Sequence, residues 1–294
     1  MTLPLVVGVD GSHACLLAVD WAVDEAIRHG VSLRLVYASR WERYERALPV
    51  TEGELPSEQM LEEQIVASAA ERAQRRNPDV KVTTDILPDD AVVALVHESN
   101  GAFALVTGSR GRGRLKELLL GSVSLAVAAR AHCPVVVVRG DQAGLAGTHG
   151  RILLGVGEAD TGTDALRFAF READVRHCTL DAVRAWRRPA HEASGDRARA
   201  GEPAADARAS ALLDASLGSL SAEYPRVDAR RSALEGPASK VLLNRSAAAD
   251  LVVIGAHHRT GHFGLQLGRV GHTLLHHAQC PVAIVPQRPR VPAT

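Results

Sequence analysis

The chain has 294 residues, of which 46% are apolar and 23% charged, a balance typical of a soluble globular protein. Its 34 lysines and arginines are matched by 34 aspartates and glutamates, so no overall positive field attracts nucleic acid. No apolar run approaches the roughly 20 residues of a membrane span, and the N-terminus lacks the basic-then-apolar pattern of a signal peptide. We therefore expect a cytoplasmic protein that binds neither nucleic acid nor membranes.

Short β-rich runs alternate with helical patterns throughout the first half of the chain. The predicted strands cover residues 5–9, 33–37, 80–86, 104–107 and 135–138. The predicted helices between them cover residues 16–29, 57–76, 91–99 and 122–131. This order favours an α/β fold with a doubly wound, five-stranded parallel sheet. The second half repeats the order over residues 152–285, with an expected surface loop at the Ala, Arg, Gly and Pro-rich residues 186–209.

The two halves are related by a fixed offset of 147 residues. The matching positions are Gly8 and Gly155, Gly108 and Gly255, Gly121 and Gly268, and the Cys-Pro-Val triplets that begin at Cys133 and Cys280. Because 147 residues is an ordinary domain size, the duplication predicts two homologous domains, residues 1–146 and 147–294. The glycine-rich stretch around residues 139–150 is the expected linker.

A glycine motif in the first half suits a phosphate-binding loop. The sequence reads Gly108-Ser109-Arg110-Gly111, and nine residues later Gly121-Ser122. Glycine lets backbone N–H groups approach phosphate oxygens, and a helix starting at Ser122 would add unpaired donors, with Ser122 as its N-cap. The cations between the glycines fit either a solvated loop or a phosphate contact; they are Arg110, Arg112, Arg114 and Lys116.

A second candidate element is the polar turn Asp10-Gly11-Ser12, which follows the apolar run at residues 3–9. Parallel α/β sheets bind ligands at the carboxyl ends of their strands, so this turn is expected to form another wall of the same site. Asp10 fits either a ligand contact or a turn-forming role before Gly11.

Cysteines and histidines offer other possible chemistry. Cys15, Cys133, Cys178 and Cys280 lack CxxC spacing, which favours buried free thiols over disulfides or a zinc site. The second half carries His257, His258, His262, His272, His276 and His277, of which His272 and His276 have the i,i+4 spacing of one helix face. Because no carboxylate lies close to these two in sequence, surface or capping histidines are favoured over a metal site.

These motifs together resemble the universal stress protein family, in its tandem two-domain form common in actinobacteria. The resemblance covers nearly the whole chain. It is carried by Val7-Gly8-Val9-Asp10-Gly11-Ser12, the Gly108 and Gly111 loop, Gly121-Ser122-Val123-Ser124, and His132-Cys133-Pro134-Val135. It implies two tandem Rossmann-like domains of the adenine nucleotide alpha hydrolase-like type.

The resemblance also implies an ATP site in the first domain, with or without magnesium. Asp10 would contact the ribose or adenine end, and Val9 and Ala38 would line the base pocket. The residues implied at ribose and phosphates are Gly108, Gly111, Gly121, Ser122, Val123 and Ser124. The second half departs from this pattern at Gly157, His258 and Arg269, where the first half has Asp10, Gly111 and Ser122, so its site is expected to be weakened or lost.

The family suggests a nucleotide-dependent regulator of the stress response with an unidentified regulatory protein partner. An ATP-hydrolysing enzyme ranks lower, because the sequence has no Gly-x-x-x-x-Gly-Lys loop and no nucleophile elbow. A nucleotide-independent interaction module is the third possibility. A homodimer is favoured over a monomer in which the two halves pair with each other through their last predicted strands.

Overall fold

The computed structural model of the protein describes residues 2–39, 56–109, 120–157, 163–187, 205–258 and 265–287. The chain forms two compact units, Met1–Arg139 and Gly140–Thr294. The division falls seven residues before the predicted boundary at residue 146. No helix in the described parts combines the length and apolar character needed to cross a bilayer.

The first unit is a five-stranded parallel sheet with helical crossovers. Its strands are β1 Leu5–Gly8, β2 Leu33–Ala38, β3 Val82–Leu87, β4 Ala104–Gly108 and β5 Val135–Val138. Its helices are α1 His13–His29, α2 Pro56–Arg76, α3 Ala91–Glu98 and α4 Ser122–Ala128, with a 3₁₀ turn at Ser99–Gly101. The strand order β3-β2-β1-β4-β5 confirms the doubly wound topology.

The second unit repeats this topology. Its strands are β6 Arg151–Gly155, β7 Thr179–Trp186, β8 Ala229–Glu235, β9 Leu251–His258, β10 Leu265–Gln266 and β11 Val282–Gln287. Its helices are α5 Gln142–Ala146, α6 Thr163–Arg176, α7 Ala205–Glu223, α8 Ala238–Ser246 and α9 Arg269–His277. The parallel order is β11-β9-β6-β7-β8, and the short β10 pairs antiparallel with β9.

Helix α1 begins at His13, three residues before the predicted start at Leu16. Ser12 is its N-cap, and the Ser12 hydroxyl accepts a hydrogen bond from the backbone N–H of Cys15 at 3.2 Å. The helix ends at Gly30, whose φ of 62° lies in the left-handed region. Capping thus adds a first turn that the apolar periodicity did not reveal.

Most of the predicted linker belongs to the second unit. Helix α5 lies within it, capped by Asp141, whose carboxylate accepts from the Gly144 N–H at 2.8 Å. Gly140 has a φ of 110°, and a Cβ there would lie 2.2 Å from the Gln279 carbonyl oxygen. This segment is therefore packed closely against the turn before β11.

The predicted loop at residues 186–209 is shorter at both ends than expected. Trp186 is the last residue of β7, and residues 205–209 are the first five residues of helix α7, so both ends of the predicted loop belong to regular secondary structure. Residues 188–204 lie outside the described residues.

Ion pairs of opposite polarity join the corresponding two helices of each unit, α1 with α2 and α6 with α7. In the first unit, Asp20 of α1 pairs with Arg72 of α2 through two contacts of 2.7 and 2.5 Å. In the second, Arg167 of α6 pairs with Glu223 of α7 at 2.7 Å. Arg167 is the repeat equivalent of Asp20, so the charge on the first helix is reversed.

The same reversal occurs beside the sheet. Arg34 of β2 pairs with Asp85 of β3 at 3.0 Å and Glu98 of α3 at 3.3 Å. Its equivalent on β7 is Asp181, which is buried and contacts Ser232 and the Arg245 guanidinium. A basic centre with two acidic partners in the first unit is thus replaced by an acidic centre with one basic partner.

Candidate functional site

The carboxyl ends of β1, β2 and β4 form the predicted binding edge of the first unit. Val9 follows β1 and is buried, and its N–H donates to the Val36 carbonyl of β2 at 2.9 Å. Ala38 is the half-buried last residue of β2. Because β1 pairs with both β2 and β4, the residues after β1 lie between the two neighbouring strand ends.

Asp10 forms a turn at this edge. One carboxylate oxygen, Oδ1, accepts from the Ser12 N–H at 2.9 Å, and the Asp10 N–H lies 3.4 Å from the Cys15 sulfur. A carboxylate offers about four acceptor positions, so the Ser12 N–H and the neighbouring Cys15 thiol leave some of them for hydroxyl groups of a ligand. The turn-forming role is present, and it is compatible with the ligand role.

Gly108 is required by packing between backbone segments. A Cβ at this position would lie 2.6 Å from the Ala14 carbonyl oxygen, 2.7 Å from the Ala14 carbonyl carbon and 2.9 Å from the Cys15 nitrogen. The end of β4 therefore approaches the first turn of α1 too closely for any side chain. The sequence interpretation, in which this glycine clears space for phosphate, missed that contact.

The predicted N-cap at Ser122 is wrong by one residue. Gly121 occupies the N-cap position of α4, and Ser122 is the first helical residue, with an exposed side chain. Gly121 is held by its own N–H, which donates to the Ser109 carbonyl at 2.8 Å. A glycine can serve as N-cap without a side-chain hydrogen bond, which leaves the Ser122 hydroxyl uncommitted to capping.

The side chains of Val123 and Ser124 differ in exposure. Val123 is half-buried. Ser124 is buried, and its hydroxyl donates to the Gly108 carbonyl at 2.7 Å, which ties α4 to the end of β4. Ser124 thus positions the helix start relative to the strand. Gly111, with the rest of residues 110–119, lies outside the described residues.

The second unit contains a cavity of about 310 Å³ at the equivalent edge of its own sheet. The lining residues include repeat equivalents of eight of the nine predicted site residues. These are Val156, Gly157, Ala185, Gly255, Gly268, Arg269, Val270 and Gly271. The second unit therefore keeps an open site, although it has lost Asp10 and Ser122.

The histidines of α9 do not converge on a common point. The rings of His272 and His276 stack with centroids 6.4 Å apart and planes 13° from parallel. The His277 ring lies 6.0 Å from that of His276, but among the described residues the ligand atoms of these histidines do not come within 4.8 Å of one another as a group of three. The side chains of His257, His258 and His262 lie outside the described part of the chain.

The four cysteines form no disulfide bonds and are present as thiols, and three of them are buried. Burial raises the pKa of Cys133 to about 12, and that of the less buried Cys178 to about 11. Burial also raises the pKa of Cys15, although backbone N–H groups at Asp10 and Gly11 oppose the shift. These thiols are poor nucleophiles at neutral pH.

The sequence interpretation overlooked Arg184, Ile254 and Ala256, all of which line the second cavity. The 147-residue offset could have revealed them. Their counterparts in the first unit are Tyr37, Thr107 and Ser109, which directly flank the predicted site residues Ala38 and Gly108.

Comparisons with known proteins agree with the internal repeat. The sequence profile of the universal stress protein family matches residues 1–139 and again residues 148–286. The universal stress protein Rv2623 of Mycobacterium tuberculosis is 31% identical over 292 residues, which cover 96% of each chain. Universal stress protein Rv2005c of the same organism is 32% identical over 298 residues, covering 96% of this chain and 97% of that protein.

A solved structure has the same fold over nearly the whole length. It is a universal stress protein from Archaeoglobus fulgidus, with a TM-score of 0.69 and 16% identity, and the match covers 97% of this chain and 98% of that one. Two profile matches, full-length relatives and a shared fold lead to one conclusion: the chain belongs to the universal stress protein family and carries two tandem copies of its domain.

Proposed function

We propose that the protein is an ATP-binding regulator of the stress response, with its nucleotide held by the first unit. The observation that carries the proposal is the arrangement at the carboxyl ends of β1, β2 and β4. There the half-buried Asp10 carboxylate, which accepts from the Ser12 N–H and lies beside the Cys15 thiol, keeps further acceptor positions next to the apolar Val9. An apolar wall beside a carboxylate suits an adenine ring attached to a ribose, whose hydroxyls donate to the acid.

The phosphates would extend toward the start of α4. The Ser122 hydroxyl is exposed there, and Gly121 adds no side chain. Residues on loops and helix starts respond to a ligand more readily than a strand core does. A nucleotide would therefore change the surface that the first unit presents to a regulatory partner, and an exchange of ATP for another ligand would change partner choice.

Three functions can be separated by the nucleotide content of the purified full chain after heat release. ATP at about one molecule per chain supports the regulator. Accumulation of ADP from added ATP supports slow hydrolysis, and an empty protein that fails to bind added ATP supports an interaction module. Magnesium dependence is measured by repeating the titration with a chelator.

Asp10 offers a sharper test because its two roles can be separated. The Asp10→Asn variant keeps an oxygen that can accept from the Ser12 N–H but removes the charge. Loss of a charge-assisted hydrogen bond is expected to weaken ATP binding roughly tenfold in calorimetry. Asp79→Ala is the matched control, because Asp79 is exposed in the turn before β3, at the opposite end of the sheet. Unchanged affinity in Asp10→Asn and in Asp10→Ala would remove the carboxylate from the site.

We further propose that two chains associate as a homodimer. The expectation rests on the frequency of symmetric dimers among soluble proteins. Light scattering over a range of concentrations, with and without ATP, measures the mass. A mass equal to one chain at every concentration would contradict the dimer.

A further inference from the structure

We propose that the cavity of the second unit binds a small amphipathic monoanion, with an apolar body and one carboxylate, instead of a nucleotide. This inference concerns a different unit from the ATP site proposed above and does not depend on it. The cavity volume of about 310 Å³ is at the lower end of the range for small-molecule sites.

The first argument is the loss of hydrogen-bonding side chains. Four positions that carry hydroxyl or carboxylate groups in the first unit are apolar or lack a side chain in the second. The replacements are Asp10 by Gly157, Thr107 by Ile254, Ser109 by Ala256, and Ser124 by Gly271. A ribose needs partners for several hydroxyls, and the residues now at these four positions offer it no side-chain donor or acceptor, so it would be poorly bound.

The second argument is the gain of positive charge. Arg184 and Arg269 line the cavity at positions occupied by Tyr37 and Ser122 in the first unit. One terminal nitrogen of Arg184 donates to the Val156 carbonyl at 3.2 Å, which leaves other donors of its guanidinium for a ligand. Within the described residues, neither guanidinium is paired with a carboxylate, and none of the residues that line the cavity is acidic. The charge complement of this site is therefore an anion.

The third argument is the division between apolar and charged lining. Leu154, Leu166 and Leu242 add to the apolar wall, while the two arginines supply the only charged side chains of the described lining. A guanidinium binds a carboxylate through two parallel hydrogen bonds. An apolar group seated among the leucines with its acid directed to an arginine would satisfy both parts of the site.

The volume limits the size of this ligand. A cavity of about 150 Å³ accepts benzene, so a cavity of 310 Å³ holds roughly a benzene ring and a further group of similar size. Arylalkanoic acids of the size of 4-phenylbutyrate fit this description. Polyphosphates, with several negative charges and few apolar atoms, do not.

The test is calorimetric titration of the full chain with 4-phenylbutyrate, with 4-phenylbutan-1-ol as the uncharged comparison. We expect one acid molecule per chain and at least tenfold weaker binding of the alcohol. Arg269→Ser, which restores the residue of the first unit, should weaken binding of the acid roughly tenfold. Arg230→Ser is the matched control, because Arg230 is exposed on β8 and pairs with Asp228 outside the cavity.

A second variant tests the sign of the charge without removing an arginine. Gly157→Asp returns the carboxylate of the first unit to the cavity and should also weaken the acid, with the fold checked by circular dichroism. Absence of acid binding, equal binding of acid and alcohol, or unchanged affinity in both variants would overturn the proposal. Displacement of the acid by ATP in a chain carrying Asp10→Ala would overturn the proposal, because the cavity would then bind a nucleotide. Failure of the first unit to bind ATP would leave the proposal unaffected.

Discussion

Replacement of Gly108 by alanine tests the packing that holds the proposed nucleotide-binding edge together. The added Cβ would lie 2.6 Å from the Ala14 carbonyl oxygen, and relief to an ordinary contact of 3.4 Å requires a displacement of about 0.8 Å. Overpacking by one methyl group costs about 1–3 kcal/mol, and the contacts here are to the backbone of α1, which cannot rotate away. We therefore expect a loss of about 3 kcal/mol in the free energy of unfolding of the first unit.

Gly8→Ala is the matched control at the end of the neighbouring strand. Its Cβ would lie 2.8 Å from Cδ1 of Leu95, the end of a side chain that can adopt another rotamer. The expected loss is about 1 kcal/mol. Equilibrium urea unfolding, combined with hydrogen exchange of the α1 amides, reports the first unit separately from the second. Equal losses in the two variants would refute the argument from the α1 contact.

Further predictions concern a cap, a thiol and an ion pair. Ser12→Ala should cost about 1 kcal/mol of stability, and Ser12→Gly only a few tenths, in the same urea assay. Burial raises the pKa of Cys178 to about 11, so only about one Cys178 thiol in a thousand is ionised at pH 8. Alkylation of Cys178 in the native protein should therefore be slow and should accelerate as the pH rises toward 11. Fast alkylation at pH 7 would contradict that burial. Arg245→Leu leaves the buried Asp181 with Ser232 as its weaker partner and should lower the free energy of unfolding by about 2 kcal/mol. This loss is smaller than that for a fully buried ion pair, because the Arg245 side chain is 36% exposed. The double variant Asp181→Leu with Arg245→Leu should recover part of this loss.

The sequence predicted the sheet well because each buried strand can be recognised from its own short run of apolar residues. Strand β5 was predicted at its observed bounds, and the order of strands and helices is confirmed. Helix starts were less predictable, since they depend on individual hydrogen bonds. Ser12 lengthens α1, and Gly121 takes the cap position expected for Ser122.

The sequence predicts which strand ends form the candidate site, but not which contacts the residues there make with one another. The role of Gly108 depends on how closely α1 approaches β4, which no local pattern encodes. The expected weakening of the second site rested on Gly157, His258 and Arg269, and it stays a prediction for nucleotides. What that comparison missed is the exchange of polar for apolar side chains at Ile254 and Ala256, together with the open cavity that they line.

The reversed ion pairs have a consequence for the folding of a duplicated chain. Neighbouring homologous domains can exchange equivalent elements as they fold, because each strand or helix has a second place that fits its shape. If α1 packed on α7, Asp20 would meet Glu223, and if β2 entered the second sheet, Arg34 would meet Arg245. Like charges at these places raise the energy of these two exchanged arrangements, while the correct one keeps its attractions. The two repeats thus share one fold, but their reversed charges favour the pairing of each of these helices and strands with the elements of its own unit.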